Sequence, residues 1–263
     1  MDQEAQGAAK RKFGVLVISH GSREETWVRL VDEAVAEARL PEGLPVYSSY
    51  LEIVEGRLIQ DGIDHLEAEG ATDIIVVPLF ASSGSVHIDE IRYALGLQDE
   101  PTLPTDLGRM RIRARVHWTG VMDDHPLIVE VLHDKLRALS VDPAREALLV
   151  VGHGAREPGF LDRWREVLGS LAHKLQVRGG FRVAEAALLA PDETRQAMDR
   201  LVSDHPDCTV LLVPFFVSEG YFTRTVIPSR FAGYAYRYSG ETLLPHPGVA
   251  RWIEEQVRAV LQP

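Results

Sequence analysis

Apolar and polar positions follow two rhythms along the chain. Continuous apolar runs, such as VLVI at 15–18 and DIIVVPLF at 73–80, break off into loops that carry histidine, glycine or serine. Between them, apolar residues recur at helical spacing, as Trp27, Leu30, Val31, Ala34, Val35 and Ala38 do. Near-continuous apolar strands suit a parallel sheet covered by helices on both faces. The pattern predicts strands at 13–19, 45–53, 73–80 and 111–118, with helices at 24–38, 57–69, 88–97 and 126–139. The second half repeats the order. Strands are predicted at 147–152, 181–189 and 208–217, helices at 159–177 and 193–203, and 220–231 parallels the loop and short helix after Phe80.

The two halves share four landmarks in the same order. Ser19-His20-Gly21-Ser22-Arg23 returns as Gly152-His153-Gly154-Ala155-Arg156. A second strand follows, then the VP-apolar-F runs around Pro78 and Pro214, then His125-Pro126 and His246-Pro247 before a last helix. One landmark can recur by chance; four in order mark an internal repeat with its join near Asp142. The expected fold is α/β: two similar lobes, each a mainly parallel sheet flanked by helices, with a cleft between them. The expected division is a disordered lead-in at 1–12, an N-terminal lobe at 13–142 carrying the active site, and a degenerate C-terminal lobe at 143–263 forming the other cleft wall.

Composition narrows the functions. The 263 residues carry a formal charge of −11, which disfavours a nucleic-acid partner. No apolar run has the length of a membrane span, and the polar first residues lack a signal-peptide core. The single cysteine, Cys208, can build neither an intrachain disulfide nor a thiolate metal site, and a reducing cytoplasm is expected. Two lobes in one chain could supply a whole cleft, so a monomer would suffice.

The candidate chemistry lies at strand ends. In a parallel sheet the carboxyl ends share one edge, where ligands bind. His20 follows the first strand, Glu52 ends the second, and His87 lies in the loop after the third. Imidazoles suit cobalt, iron, nickel or zinc, and a neutral imidazole also accepts protons. Ser82, Ser83, Gly84 and Ser85 would let backbone approach a ligand closely. In the second half Leu189 is expected at the place of Glu52 and Thr223 near that of His87, leaving His153 without its partners. Arg156, Tyr221, Phe222, Arg224 and Arg230 could present charge and aromatic surface to a flat, carboxylate-rich ligand. The plainer readings are a hydrogen-bonded strand-end histidine for His20, a solvent-facing loop histidine for His87, and a salt-bridged surface carboxylate for Glu52. His125 and His246 read as loop-bridging groups, and Cys208 as core. No G-x-S-x-G elbow and no G-x-G-x-x-G turn is present.

These paired HG-small-R turns, VP strands and HP helix starts resemble the class II tetrapyrrole chelatases, and most nearly the two-lobed sirohydrochlorin chelatases of the CbiX/SirB type. The resemblance implies ATP-independent insertion of Co²⁺ or Fe²⁺ into sirohydrochlorin, on the routes to cobalamin and sirohaem, with no organic cofactor. It implies that His20, His87 and Glu52 hold the metal and accept the pyrrole protons. Arg23, Ser82, Ser83, Gly84, Arg156, Tyr221 and Arg224 are the expected macrocycle contacts. Where the family's loop histidine precedes Asp-Ile-Pro, this chain reads His87-Ile88-Asp89-Glu90-Ile91, shifted by a residue and without the proline. Asp89 and Glu90 therefore become candidate additional groups. The competing functions are a non-catalytic metal or tetrapyrrole carrier of the same fold and an unrelated metal-dependent hydrolase.

Overall fold

The computed structural model describes residues 11–262. The disordered lead-in expected at 1–12 lies outside that range except for its end, where Lys12 N–H already donates to Thr72 Oγ1 at 3.0 Å. In the first half β1 (Phe13–Ser19), α1 (Glu25–Glu37), β2 (Val46–Tyr50), α2 (Ile59–Ala68), β3 (Asp73–Pro78), α3 (Val86–Ala94), β4 (Arg115–Trp118) and α4 (Pro126–Arg137) follow one another. The second half gives β5 (Glu146–Gly154), α5 (Pro158–Gly179), β6 (Val183–Ala190), α6 (Thr194–Asp204), β7 (Thr209–Pro214), a π turn at Phe222–Val226 leading into α7 (Ile227–Arg230), β8 (Tyr236–Arg237) and α8 (Pro247–Leu261). Two all-parallel four-stranded sheets result, ordered β2-β1-β3-β4 and β6-β5-β7-β8.

The strands owe their burial to the apolar runs. Side chains alternate across a strand, so Leu16 and Ile18 of β1 pack with Ile59, Ile63 and Ile91 of α2 and α3 on the outer face. Val15 and Val17 face inward. They join Leu148 and Val150 of β5 in one core shared with α1, α4, α5 and α8. α6 and α7 cover the far face of the second sheet through Met198, Leu201 and Ile227. The last helix of each half packs across the join. α8 lies on α1 and β3, while α4 lies on α5 and β7, and the two helices also pack against each other. Trp252 of α8 is fully buried in the shared core.

Three strands differ from the sequence pattern. The predicted strand at 111–118 begins only at Arg115. The N–H groups of Arg113 and Ala114 go instead to the Glu67 carboxylate, at 2.5 and 2.9 Å. β2 stops at Tyr50, whose N–H bonds to Arg57 O at 2.9 Å and closes a loop. β8 is only two residues long, too short to leave a periodic signal. His125 and His246 prove to be helix N-caps: each Nδ1 accepts from the N–H two residues on, at 3.3 and 3.0 Å. Cys208 is partly rather than fully buried. No described helix is long and apolar enough to cross a membrane.

Glu146, at the start of β5, fastens the connection between the halves. Its buried carboxylate accepts from Ser140 Oγ (2.5 Å), the N–H groups of Val141 and Asp142 (2.8 and 3.3 Å) and Arg237 of β8 (2.9 Å). Burial pushes its pKa up, but these bonds and the Arg237 charge outweigh burial and hold it below the usual carboxylate range. A folded-state pKa below the unfolded value contributes stability that is present above the ordinary carboxylate range and lost as pH falls through it. Urea unfolding should therefore find Glu146→Gln less stable at neutral pH, by about 1–3 kcal/mol. It should also show a shallower loss of stability on acidification. Equal stability and an equal acid slope would contradict this role.

Candidate functional site

The sheet order puts the site where it is. With β1 between β2 and β3, the chain leaves β1 and β3 in opposite directions, and a crevice opens at their carboxyl ends. His20 is the first residue after β1. His87 is not in a loop as the sequence suggested; it is the second residue of α3, which starts earlier than its apolar spacing indicated. The two rings meet edge to face with centroids 4.8 Å apart. Both line a cleft of about 600 Å³ between the halves.

Each imidazole has one nitrogen committed. His20 Nδ1 lies 3.1 Å from Gly21 O, and His87 Nδ1 lies 2.8 Å from Glu90 Oε2. Both acceptors require the proton on Nδ1, so Nε2 carries the lone pair in each ring, as a metal ligand or a base requires. Glu90 thus joins the site by orienting His87. Asp89 does not: its carboxylate holds Gln98 and Thr102 at 2.7–2.8 Å.

Glu52 reaches the pair from the rim. Its Oε1 is 3.7 Å from His20 Nε2, its side chain is 56% exposed, and it does not line the cleft. The backbone beneath is tightly placed. Glu52 N–H donates to His20 O at 3.2 Å, and Gly21, at φ +101°, has Glu52 O only 2.1 Å from where a Cβ would stand. The loop carrying Glu52 is pinned at its base by three residues that the sequence did not single out. Arg57 grips Asp32 of α1 with two bonds of 2.8 and 2.6 Å, and Tyr50 OH donates to the same carboxylate at 3.0 Å. Burial pushes the Asp32 pKa up, yet the Arg57 and Tyr50 bonds hold it below the usual range. Burial likewise raises the Tyr50 phenol. Among the described residues, no three His, Cys, Asp or Glu side chains are arranged to hold a metal ion by themselves. The two imidazoles are the preformed part.

The second half repeats this frame with different side chains. His153 Nδ1 lies 3.1 Å from Gly154 O, and Gly154, at φ +86°, has Ala190 O 2.1 Å from its Cβ position. Ala190, not Leu189, therefore occupies the place of Glu52. Phe222, not Thr223, occupies the place of His87, its ring 4.7 Å from His153 and edge to face. Thr223 is buried, its hydroxyl bonded to Gly220. Both substitutions remove a polar partner and leave an aromatic wall of Phe216, Tyr221 and Phe222.

The expected macrocycle contacts separate into two groups. Ser82, Arg156 and Tyr221 line the cleft, and the Arg156 guanidinium has no carboxylate partner among the described residues. Ser83 and Gly84 do not line it. Ser83 N–H and Oγ bond Asp123 (2.7 and 2.8 Å), and Arg163 of α5 bonds both residues. Gly84 is small because α5 passes there, with Trp164 N and Phe160 O 2.8 and 2.9 Å from its Cβ position. These two residues join the halves instead. Arg23 lines a separate open groove along α1. Arg224 pairs with Glu24, a cleft residue of the other half, and Arg230 pairs with Asp192.

Two duplicated parallel-sheet lobes meeting over such a cleft define a chelatase-like α/β protein. The chain belongs to the CbiX family, whose model matches residues 14–139 and 147–260. Among solved structures it is similar to SirB from Bacillus subtilis with Fe³⁺, at 18% identity and a TM-score of 0.73, over 95% of this chain and 96% of that one. It is also similar to the sirohydrochlorin chelatase SirB from Bacillus subtilis subspecies spizizenii in complex with cobalt, at 17% identity, a TM-score of 0.68 and 94% of each chain. A third likeness is to CbiX, the terminal enzyme for siroheme biosynthesis in denitrifying bacteria, at 18% identity and a TM-score of 0.63, over 95% of this chain and all of that one. No curated protein sequence matches the chain.

The glycine contacts carry a direct expectation. Gly21→Ala and Gly154→Ala should each destabilise the protein by about 2 kcal/mol or more, because a Cβ meets both a left-handed φ and a backbone oxygen. Gly108→Ala, with open space around it, should stay within about 0.5 kcal/mol. Urea unfolding of the three variants checks this, and equal midpoints would contradict it.

Proposed function

We propose that this protein is a sirohydrochlorin chelatase that inserts Co²⁺ or Fe²⁺ into the macrocycle without ATP, serving cobalamin or sirohaem formation in the cytoplasm. The observation that carries the reading is the His20–His87 pair, both Nε2 lone pairs left available in a cleft with an aromatic opposite wall. The names of the neighbouring structures, one with Fe³⁺ and one with cobalt, support a metal as substrate.

On this reading the divalent ion is substrate, held by the two imidazoles while Glu52 offsets its charge from the rim. The flat macrocycle enters between the walls, against Phe216, Tyr221 and Phe222. Its rim carboxylates meet Arg156, and Arg224 when that residue exchanges Glu24 for a substrate carboxylate. Holding ring and ion face to face removes the entropic cost of their encounter from the chemical step. Insertion forms metal–nitrogen bonds and breaks two pyrrole N–H bonds, whose protons need an acceptor. Glu52 at the rim, and a cleft imidazole that is not holding the ion, are the groups within reach for that purpose.

The test follows sirohydrochlorin absorbance after adding Co²⁺ or Fe²⁺. Protein should accelerate metallation over the spontaneous rate. His20→Ala and His87→Ala should each remove about 99% of the excess or more. Binding of sirohydrochlorin without any gain in rate would overturn catalysis and favour the carrier. Competition between the two metals in the same assay shows which ion the site inserts faster.

A further inference from the structure

The second half kept one reactive group when it lost the other two. His153 is exposed on the cleft wall opposite His20 and His87, with its Nδ1 committed to Gly154 O just as His20 commits to Gly21 O. Its Nε2 is therefore a free lone pair facing solvent and ligand space. No carboxylate is paired with it among the described residues. A lone imidazole beside Phe222 and Ala190 makes a poor metal site, since the ligands that would complete one are gone. It remains a competent base. The other charged or titratable groups lining the cavity are Arg156, Glu157 and Tyr221 on its own half, and His20, Glu24 and His87 across the cavity.

Resting on the chelatase reading, we infer that His153 is a catalytic base of the degenerate half, taking the pyrrole protons on the macrocycle face opposite the incoming metal. The physical reason is repulsion. A dication approaching the ring from the His20–His87 wall disfavours protons on that same face, and the ring nitrogens turn toward the metal as their bonds to it form. The N–H bonds are then displaced toward the other wall. Each N–H electron pair stays on nitrogen and becomes a bond to the metal. The first proton passes to His153 Nε2 and on to water at the open cleft mouth. The second follows by the same route. Nothing is oxidised or reduced. Phe222 holds the imidazole edge to face, 4.7 Å between ring centroids, which fixes its orientation.

The experiment compares Co²⁺ insertion into sirohydrochlorin by wild type, His153→Ala and His153→Gln, with and without added imidazole, after circular dichroism has shown all three folded. The expected result is a kcat lower by about 10- to 100-fold in both variants with little change in KM. Free imidazole should restore much of the rate to His153→Ala alone, because only that variant leaves room for a replacement base. An unchanged kcat in His153→Ala overturns the inference. A loss confined to KM, or full rescue by glutamine without imidazole, overturns it in favour of a carboxylate contact or a packing role. A wild type that inserts no metal overturns the chelatase reading and this inference together, whereas an active wild type with an equally active His153→Ala overturns this one alone.

Discussion

The parallel pairing of β1 with β2 on one side and β3 on the other is the constraint from which the site follows. It is a backbone arrangement, set by apolar runs that must be covered on both faces. Once it forms, three chain exits share one edge of the sheet: His20 after β1, Glu52 after β2 and His87 after β3. The hydrogen bond from Glu52 N–H to His20 O continues the β1–β2 ladder past the strand ends. Gly21 is the residue that lets those two chains touch. The geometry of the imidazole pair is thus an extension of the sheet, with little left to flexible loops.

The duplication shows which parts of that frame are structural and which are chemical. Both halves keep the strand order, the left-handed glycine, its contact with a carbonyl and the imidazole bonded to the next residue's oxygen. Within that frame the side chains differ, His87 against Phe222 and Glu52 against Ala190. One wall carries two imidazoles, the other an aromatic surface with a single imidazole. The exchange of α4 and α8 across the join, with the Asp123–Arg163 clamp, holds the walls in register. A ligand between them meets a preset pair of surfaces.

Much of this was legible in the sequence because it rests on periodicity and local motifs. The placement of the candidate residues at successive strand ends, the repeat and the meeting of His20 with His87 all follow from apolar runs that end in HG or in a serine-rich loop. What the sequence hid depends on long-range geometry. Glu90 orients His87 only because α3 begins at Val86, a start that the apolar spacing placed two residues later. Asp32 and Arg57 look like ordinary surface charges until the loop folds back on α1. Ser83 and Gly84 read as ligand-facing because small polar loops often are. Here their size accommodates a helix from the other half. Counting residues along β6 without the strand register puts Leu189 where Ala190 stands. The length of the loop before Phe222 hid its equivalence to His87 in the same way.

The central claim is that an incoming ion is met by the Nε2 atoms of His20 and His87. A crystal structure of the protein soaked with Co²⁺, with the metal located by its anomalous signal, tests that most directly. The account predicts the ion between the two rings, bonded to both Nε2 atoms, with His87 Nδ1 still on Glu90. A cobalt ion bound through either Nδ1, or seated away from both rings, would contradict it.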